Sequence, residues 1–142
     1  MRFWDSSGVV PLAFSEPASS TVEQILRQDA SLAIWWGTPV ECASALERAV
    51  FEKTIDRSAL QAARRIIQGI QIRAFEVQPL EGVRSRAVRL LGIHRIRAAD
   101  AFQLAAALVW CGDQPMGADF VCLDDRLREA ALREGFTVLP EQ

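Results

Sequence analysis

Four acidic residues in this 142-residue chain stand where chemistry is commonly done. Asp5 closes the short apolar run Phe3-Trp4, Glu41 lies in the first turns after Thr38-Pro39, Asp100 opens an apolar stretch reaching Trp110, and Asp124 ends the run Phe120 to Leu123. Taken singly, each has a plain structural explanation. Asp5 and Asp124 can cap helices, and Glu41 and Asp100 can face the positive end of a helix dipole. Taken together they need another, because carboxylates that converge among apolar neighbours repel each other and are costly to keep charged. Lys53, the only lysine, belongs to an early helix and cannot relieve that cost. A divalent cation can. An all-carboxylate donor set, with a single histidine and no closely spaced cysteines, favours the hard, oxygen-seeking ions Mg2+ or Mn2+ over zinc.

The elements that must bring these acids together follow from the hydrophobic pattern. Strands are expected at Phe3-Trp4, Ser31 to Trp36, Phe75 to Gln78, Phe120 to Leu123 and Phe136 to Leu139. Between them, helical spacing covers Thr21 to Arg27, a segment from the N-cap Thr38 to about Lys53, an Asp56-capped helix through Ile70, Leu80 to Leu91, Ala98 to Trp110, and a helix reaching Arg133 that Gly135 ends. Short strands alternating with helices imply βαβ units and a mainly parallel sheet covered on both faces, in one domain spanning 1–142. Such sheets gather functional groups at the carboxyl ends of their strands, which is where the four acids fall.

Charge and cysteine content narrow the classes further. The net charge is -2, and arginine supplies fifteen of the sixteen basic residues, so any nucleic-acid contact needs a local patch. One exists in Arg84, Arg86, Arg89, Arg95 and Arg97, which read equally well as a solvated helix face or as a phosphate-binding rim. Cys42, Cys111 and Cys122 sit among apolar neighbours and read as buried free thiols, which suits a reducing, cytoplasmic compartment. The N-terminus lacks the apolar core of a signal peptide, and the run Leu104 to Cys111 is too short to span a bilayer, so no membrane role is expected. Trp35, Trp36 and Trp110 are expected in the core or an interface, and His94 at the surface. Ser6 and Ser7 lack the G-x-S-x-G turn of a nucleophile elbow. A phospho-acceptor receiver domain needs a lysine after its last strand, which this chain does not have.

The stretches DSSGVVPL at 5–12, TPVECASAL at 38–46, RAADAFQLAAAL at 97–108 and FVCLDDRLREAALREGFTVL at 120–139, in that order, resemble the PIN-domain ribonucleases, in particular VapC-type toxins of toxin–antitoxin pairs. The resemblance covers nearly the whole chain. It implies an α/β/α sandwich with a parallel five-stranded sheet, and Mg2+- or Mn2+-dependent endonucleolytic cleavage of RNA. It also implies a homodimer, and inhibition by a small cognate antitoxin protein entering the active-site groove. Carried over residue by residue, the acidic quartet falls on Asp5, Glu41, Asp100 and Asp124, with Ser7 supporting the first aspartate. Asp125 adjoins Asp124 as a second candidate, and the register with Leu127 favours Asp124. Arg95 and Arg97 are the expected RNA phosphate contacts. The chain departs from the pattern at Cys122, where such proteins usually carry Thr or Ser; that substitution is the one feature favouring a catalytically weak PIN-like module that binds RNA or protein without cutting.

Overall fold

The computed structural model describes residues 1–141, in which strands and helices alternate as β1 (Arg2–Trp4), α1 (Ser6–Ala13), α2 (Ser19–Gln28), β2 (Leu32–Trp35), α3 (Thr38–Phe51), α4 (Arg57–Arg73), β3 (Phe75–Val77), α5 (Glu81–Ile93), α6 (Ala98–Trp110), β4 (Asp119–Val121), α7 (Asp125–Glu134) and β5 (Thr137–Leu139). The five strands form one parallel sheet in the order β3-β2-β1-β4-β5. The α/β class and the five-stranded sheet are therefore as expected. No helix among the described residues is long and apolar enough to cross a membrane.

β1 is the central strand, and its alternation divides the core. Phe3 aligns with Ala33 on β2 and Phe120 on β4, and faces the layer built by α5, α6 and α7. Trp4 faces the opposite layer, among Val9, Val22, Leu46 and Leu60 of α1 to α4. Both rings are fully buried, and each such burial contributes about 1.5–3 kcal/mol. The chain leaves β1 into α1 on one face and leaves β4 into α7 on the other. The helices diverge above these neighbouring strands, opening a crevice at their carboxyl ends.

Three local features fix that crevice. No loop separates β1 from α1, because Asp5 ends the strand and caps the helix through its own carboxylate. Gly8 then lets α1 press on β4, since a Cβ there would lie 3.1 Å from the Val121 carbonyl oxygen. On the other face, α6 buries Ala101, Ala105, Ala106 and Ala107 completely, and these small side chains bring it close to both the sheet and α5.

Three expectations are corrected. Thr38 is not the N-cap of α3. Gly37 is, and the Thr38 side chain turns inward to a buried partner on α6. His94 is not a surface residue, because its Nε2 meets Glu134 Oε1 at 2.7 Å and the ring is buried, tying the end of α5 to the end of α7. Cys111 is only partly buried, since it caps α6 beside the exposed 112–118 loop, whereas Cys42 and Cys122 are buried.

Arg128 is buried without an acidic partner among the described residues. Its guanidinium donates to the backbone carbonyls of Cys122 (2.6 Å), Leu139 (3.2 Å) and Pro140 (2.7 Å), stapling the chain after β4 to the end of β5. Arg128→Met leaves those carbonyls unpaired and is expected to lower unfolding stability by about 2–4 kcal/mol, read as a reduced urea midpoint at unchanged slope.

Candidate active site

Asp5, at the base of the crevice, is only 3% exposed. Its Oδ2 is saturated: the Ser7 backbone N–H donates at 2.9 Å, the Ser7 hydroxyl donates through a short bond, and Cys122 Sγ lies 3.6 Å away. Oδ1 has only a long contact with the Ser6 hydroxyl, at 3.5 Å, and is the oxygen left to face the crevice. Ser7 does more than support Asp5, since its Oγ also accepts the Leu123 N–H at 2.8 Å and so joins α1 to the segment after β4. The Cys122 sulfur lies within 3.6 Å of Asp5 Oδ2, Ser7 Oγ and the Asp124 carbonyl, so it packs under Asp5 and does not reach the Asp124 carboxylate.

Glu41, half-buried on the first turn of α3, is held at both oxygens. Ser6 Oγ donates to Oε2 at 2.9 Å and Gln103 Nε2 donates to Oε1 at 3.1 Å. Gln103 is fully buried and also donates to Thr38 Oγ1 at 3.0 Å. Asp100 sits in the first turn of α6, where its Oδ2 accepts the Arg97 N–H at 3.3 Å. Asp124 is the N-cap of α7 and accepts the Leu127 N–H at 3.0 Å through Oδ1. Asp125 begins α7 and lines the same hollow as Asp100 and Asp124.

The four acids feel one another. Burial pushes the Asp5 carboxyl above its usual range, and the Asp100 charge adds to this against the Ser7 hydrogen bonds. Burial likewise pushes Glu41 up to about 7, with Asp5 and Asp100 raising it and the Ser6 and Gln103 hydrogen bonds opposing. Asp100 is raised by burial first and by Asp124 next. Among the described residues no three His, Cys, Asp or Glu side chains approach closely enough to ligate one ion directly. An all-oxygen set of raised, mutually repelling carboxylates fits a hydrated hard cation, which keeps several of its own waters and needs only one or two direct carboxylates.

Sequence reasoning placed Asp5, Glu41, Asp100, Asp124 and Ser7 around this crevice. It passed over Ser6, set aside as a nucleophile, and Gln103 and Thr38. One available signal was a glutamine within the otherwise apolar run FQLAAAL, three residues after Asp100 and so on the same helix face. The five-arginine run divides cleanly. Arg84, Arg86 and Arg89 pair with Glu81, Asp113 and Glu134, whereas Arg95 and Arg97 are exposed with no acidic partner among the described residues.

Between its ordinary value of 4.5 and about 7, the folded state holds a proton on Glu41 that the unfolded chain lacks. Stability in metal-free buffer is therefore expected to be highest at the acid end of that window. It falls as pH rises through it, by about 2 kcal/mol from this group after solvent screening. Urea unfolding at pH 5 and pH 8 checks this, with Glu41→Gln flattening the dependence.

No family model matches the chain, and no curated protein matches it in sequence. Solved structures do match its fold. VapC20 of Mycobacterium tuberculosis, described as a toxin that cleaves the sarcin–ricin loop, superposes with a TM-score of 0.67 at 17% identity, covering 96% of this chain and 97% of that one. FitAcB from Neisseria gonorrhoeae gives 0.66 at 15% identity, with 97% and 96% covered. PAE2754 from Pyrobaculum aerophilum gives 0.61 at 21% identity, with 97% and 88% covered. This likeness shows the fold, a PIN-like three-layer α/β architecture.

Proposed function

We propose that this PIN-like chain is a metal-dependent endoribonuclease, the toxin component of a type II toxin–antitoxin pair. It would act in the cytoplasm as a homodimer and be silenced by a small cognate antitoxin. The observation that carries the reading is the convergence of Asp5, Glu41, Asp100 and Asp124 at the divergence of β1 and β4, with three of the four carboxyls raised by burial and mutual repulsion. Capping and helix dipoles account for each acid but not for their meeting. The shared fold with a toxin described as cleaving the sarcin–ricin loop points the same way.

In this reading Asp5, Asp100 and Asp124 would hold Mg2+ or Mn2+, directly or through water. When bound, the ion lowers the pKa of a water and offsets charge on the phosphorane-like transition state. Glu41, poised near neutrality and fixed by Ser6 and Gln103, accepts the proton of the attacking water. Ser7 keeps Asp5 Oδ2 occupied, so that its other oxygen faces the substrate side. Arg95 and Arg97 hold RNA phosphates, a task suited to the guanidinium fork.

Cleavage of RNA by the purified chain is expected with added Mn2+ or Mg2+ and to stop with chelator. Asp5→Asn and Asp100→Asn should abolish it while leaving circular dichroism unchanged, and Glu41→Gln should slow it about 10²–10⁴-fold. Undiminished cleavage by Asp100→Asn refutes the assignment. RNA binding without any metal-dependent cutting by the wild type favours instead the non-cutting module that Cys122 suggests.

A further inference from the structure

The acid pocket opens on two sides that differ in charge. Towards α3 lies a groove of about 570 Å³ in which Arg48 is accompanied by Glu16 and Glu41. Towards α7, Asp100, Asp124 and Asp125 share a hollow with Arg97 and Arg126. Arg126 continues from that hollow into a separate groove of about 460 Å³ between the α5–α6 connection and α7, where Arg95, Arg126 and Arg133 outnumber a single acid, Glu129, beside Ile93 and Ile96.

We propose that this second groove binds single-stranded RNA on one flank of the scissile phosphate, with Arg95 and Arg126 holding its phosphates and the two isoleucines facing a base. The proposal deepens the ribonuclease reading and rests on its assignment of RNA as substrate.

Three observations carry it. Arg95, Arg97 and Arg126 form no ion pair among the described residues, although other arginines of the same region are paired. Arg133 is held only by an exposed one-turn contact with Glu129, a pairing of little energetic weight that a phosphate can displace. The connection carrying Arg95 is fixed beforehand, because His94 is buried against Glu134, so little ordering is required on binding. Ile93 is 56% exposed at the groove edge. A duplex keeps its bases stacked inside and offers nothing to such a wall, whereas a single strand presents both unstacked bases and phosphates. The α3 side sets Arg48 against Glu16, Glu41 and Asp124 and so lacks the excess of arginines that the second groove carries, which makes the substrate's hold on the protein one-sided.

The test uses the full chain and a fluorescein-labelled single-stranded RNA 12-mer in the presence of chelator, with affinity followed against salt by anisotropy. The double variant Arg95→Gln/Arg126→Gln is expected to bind at least about tenfold more weakly, and to lower the slope of log K on log salt by about 1.4, twice the 0.7 released per single-strand contact. Arg95→Lys/Arg126→Lys should restore the slope, since it counts charge. Arg65→Gln, exposed on α4 in the opposite layer, should change neither. An unchanged slope in the double Gln variant overturns the proposal, as does absence of RNA binding by the wild type. Loss of affinity for poly-glutamate with RNA affinity retained overturns it too, and assigns the groove to an acidic protein partner. Because binding is read without cleavage, a chain that binds RNA here but never cuts it refutes the nuclease reading and leaves this one standing. One that cuts with the slope unmoved does the reverse.

Discussion

The structure depends on keeping an acidic group, Asp5, at the bottom of a crevice where its own side chain is almost cut off from water. A buried carboxylate is tolerable only when its hydrogen-bonding capacity is met and its charge is either suppressed or balanced. The fold meets the first condition by concentrating donors on one oxygen. The second is left open, since Asp100 raises its energy further, and Arg97 and Arg126 oppose the charge of Asp100 rather than that of Asp5. The position of β1 makes this arrangement unavoidable: with one neighbour leading to helices above the sheet and the other to helices below, the chain must part there.

Everything around that point works to hold carboxylates at fixed orientations. Ser7 spans the gap between α1 and the residues after β4, so the two walls move together. Gln103 performs the same office between α6 and α3, reaching Thr38 and Glu41 at once. Arg128 anchors the far side by gathering three carbonyls where β4 and β5 end. Gln103 and Arg128 are buried, and all three groups reach partners outside their own helix. Such networks are rigid when complete and costly when any member is lost.

What could be read from the residues alone was whatever depends on local order along the chain. Alternation of short apolar runs with helical spacing located the five strands, α2 and the helices from α3 onward. The position of an acid just after a strand located the crevice, because parallel sheets place such residues at one edge. The features that escaped are those decided by a partner far away. Gln103 and Thr38 are separated by 65 positions, and neither shows alone that it is half of a buried pair. His94 looked exposed because Glu134, which makes its burial tolerable, comes 40 residues later. Helix α1 was legible only as a cap at Asp5, since Ser-Ser-Gly-Val-Val-Pro holds poor helix formers and the helix is maintained by packing on β4. Asp124 and Asp125 remained adjacent alternatives, and the structure places the first as the cap and the second inside the helix.

The pairing of β1 with β4 also bears on the order in which the protein comes into being. Phe3 can meet Ala33 once 30 further residues have been made, but Phe120, its other neighbour, is translated 117 residues after it. A nascent chain can therefore assemble β3, β2 and β1 as a half-sheet whose open edge is β1, with one side of the strand unpaired and Phe3 and Trp4 incompletely covered, a surface prone to improper pairing until β4 arrives. At that stage Asp5 and Glu41 are already present, while Asp124 has yet to be made. The crevice is thus closed by one of the later steps of folding, and an unfinished chain carries half of its acids without the geometry that unites them.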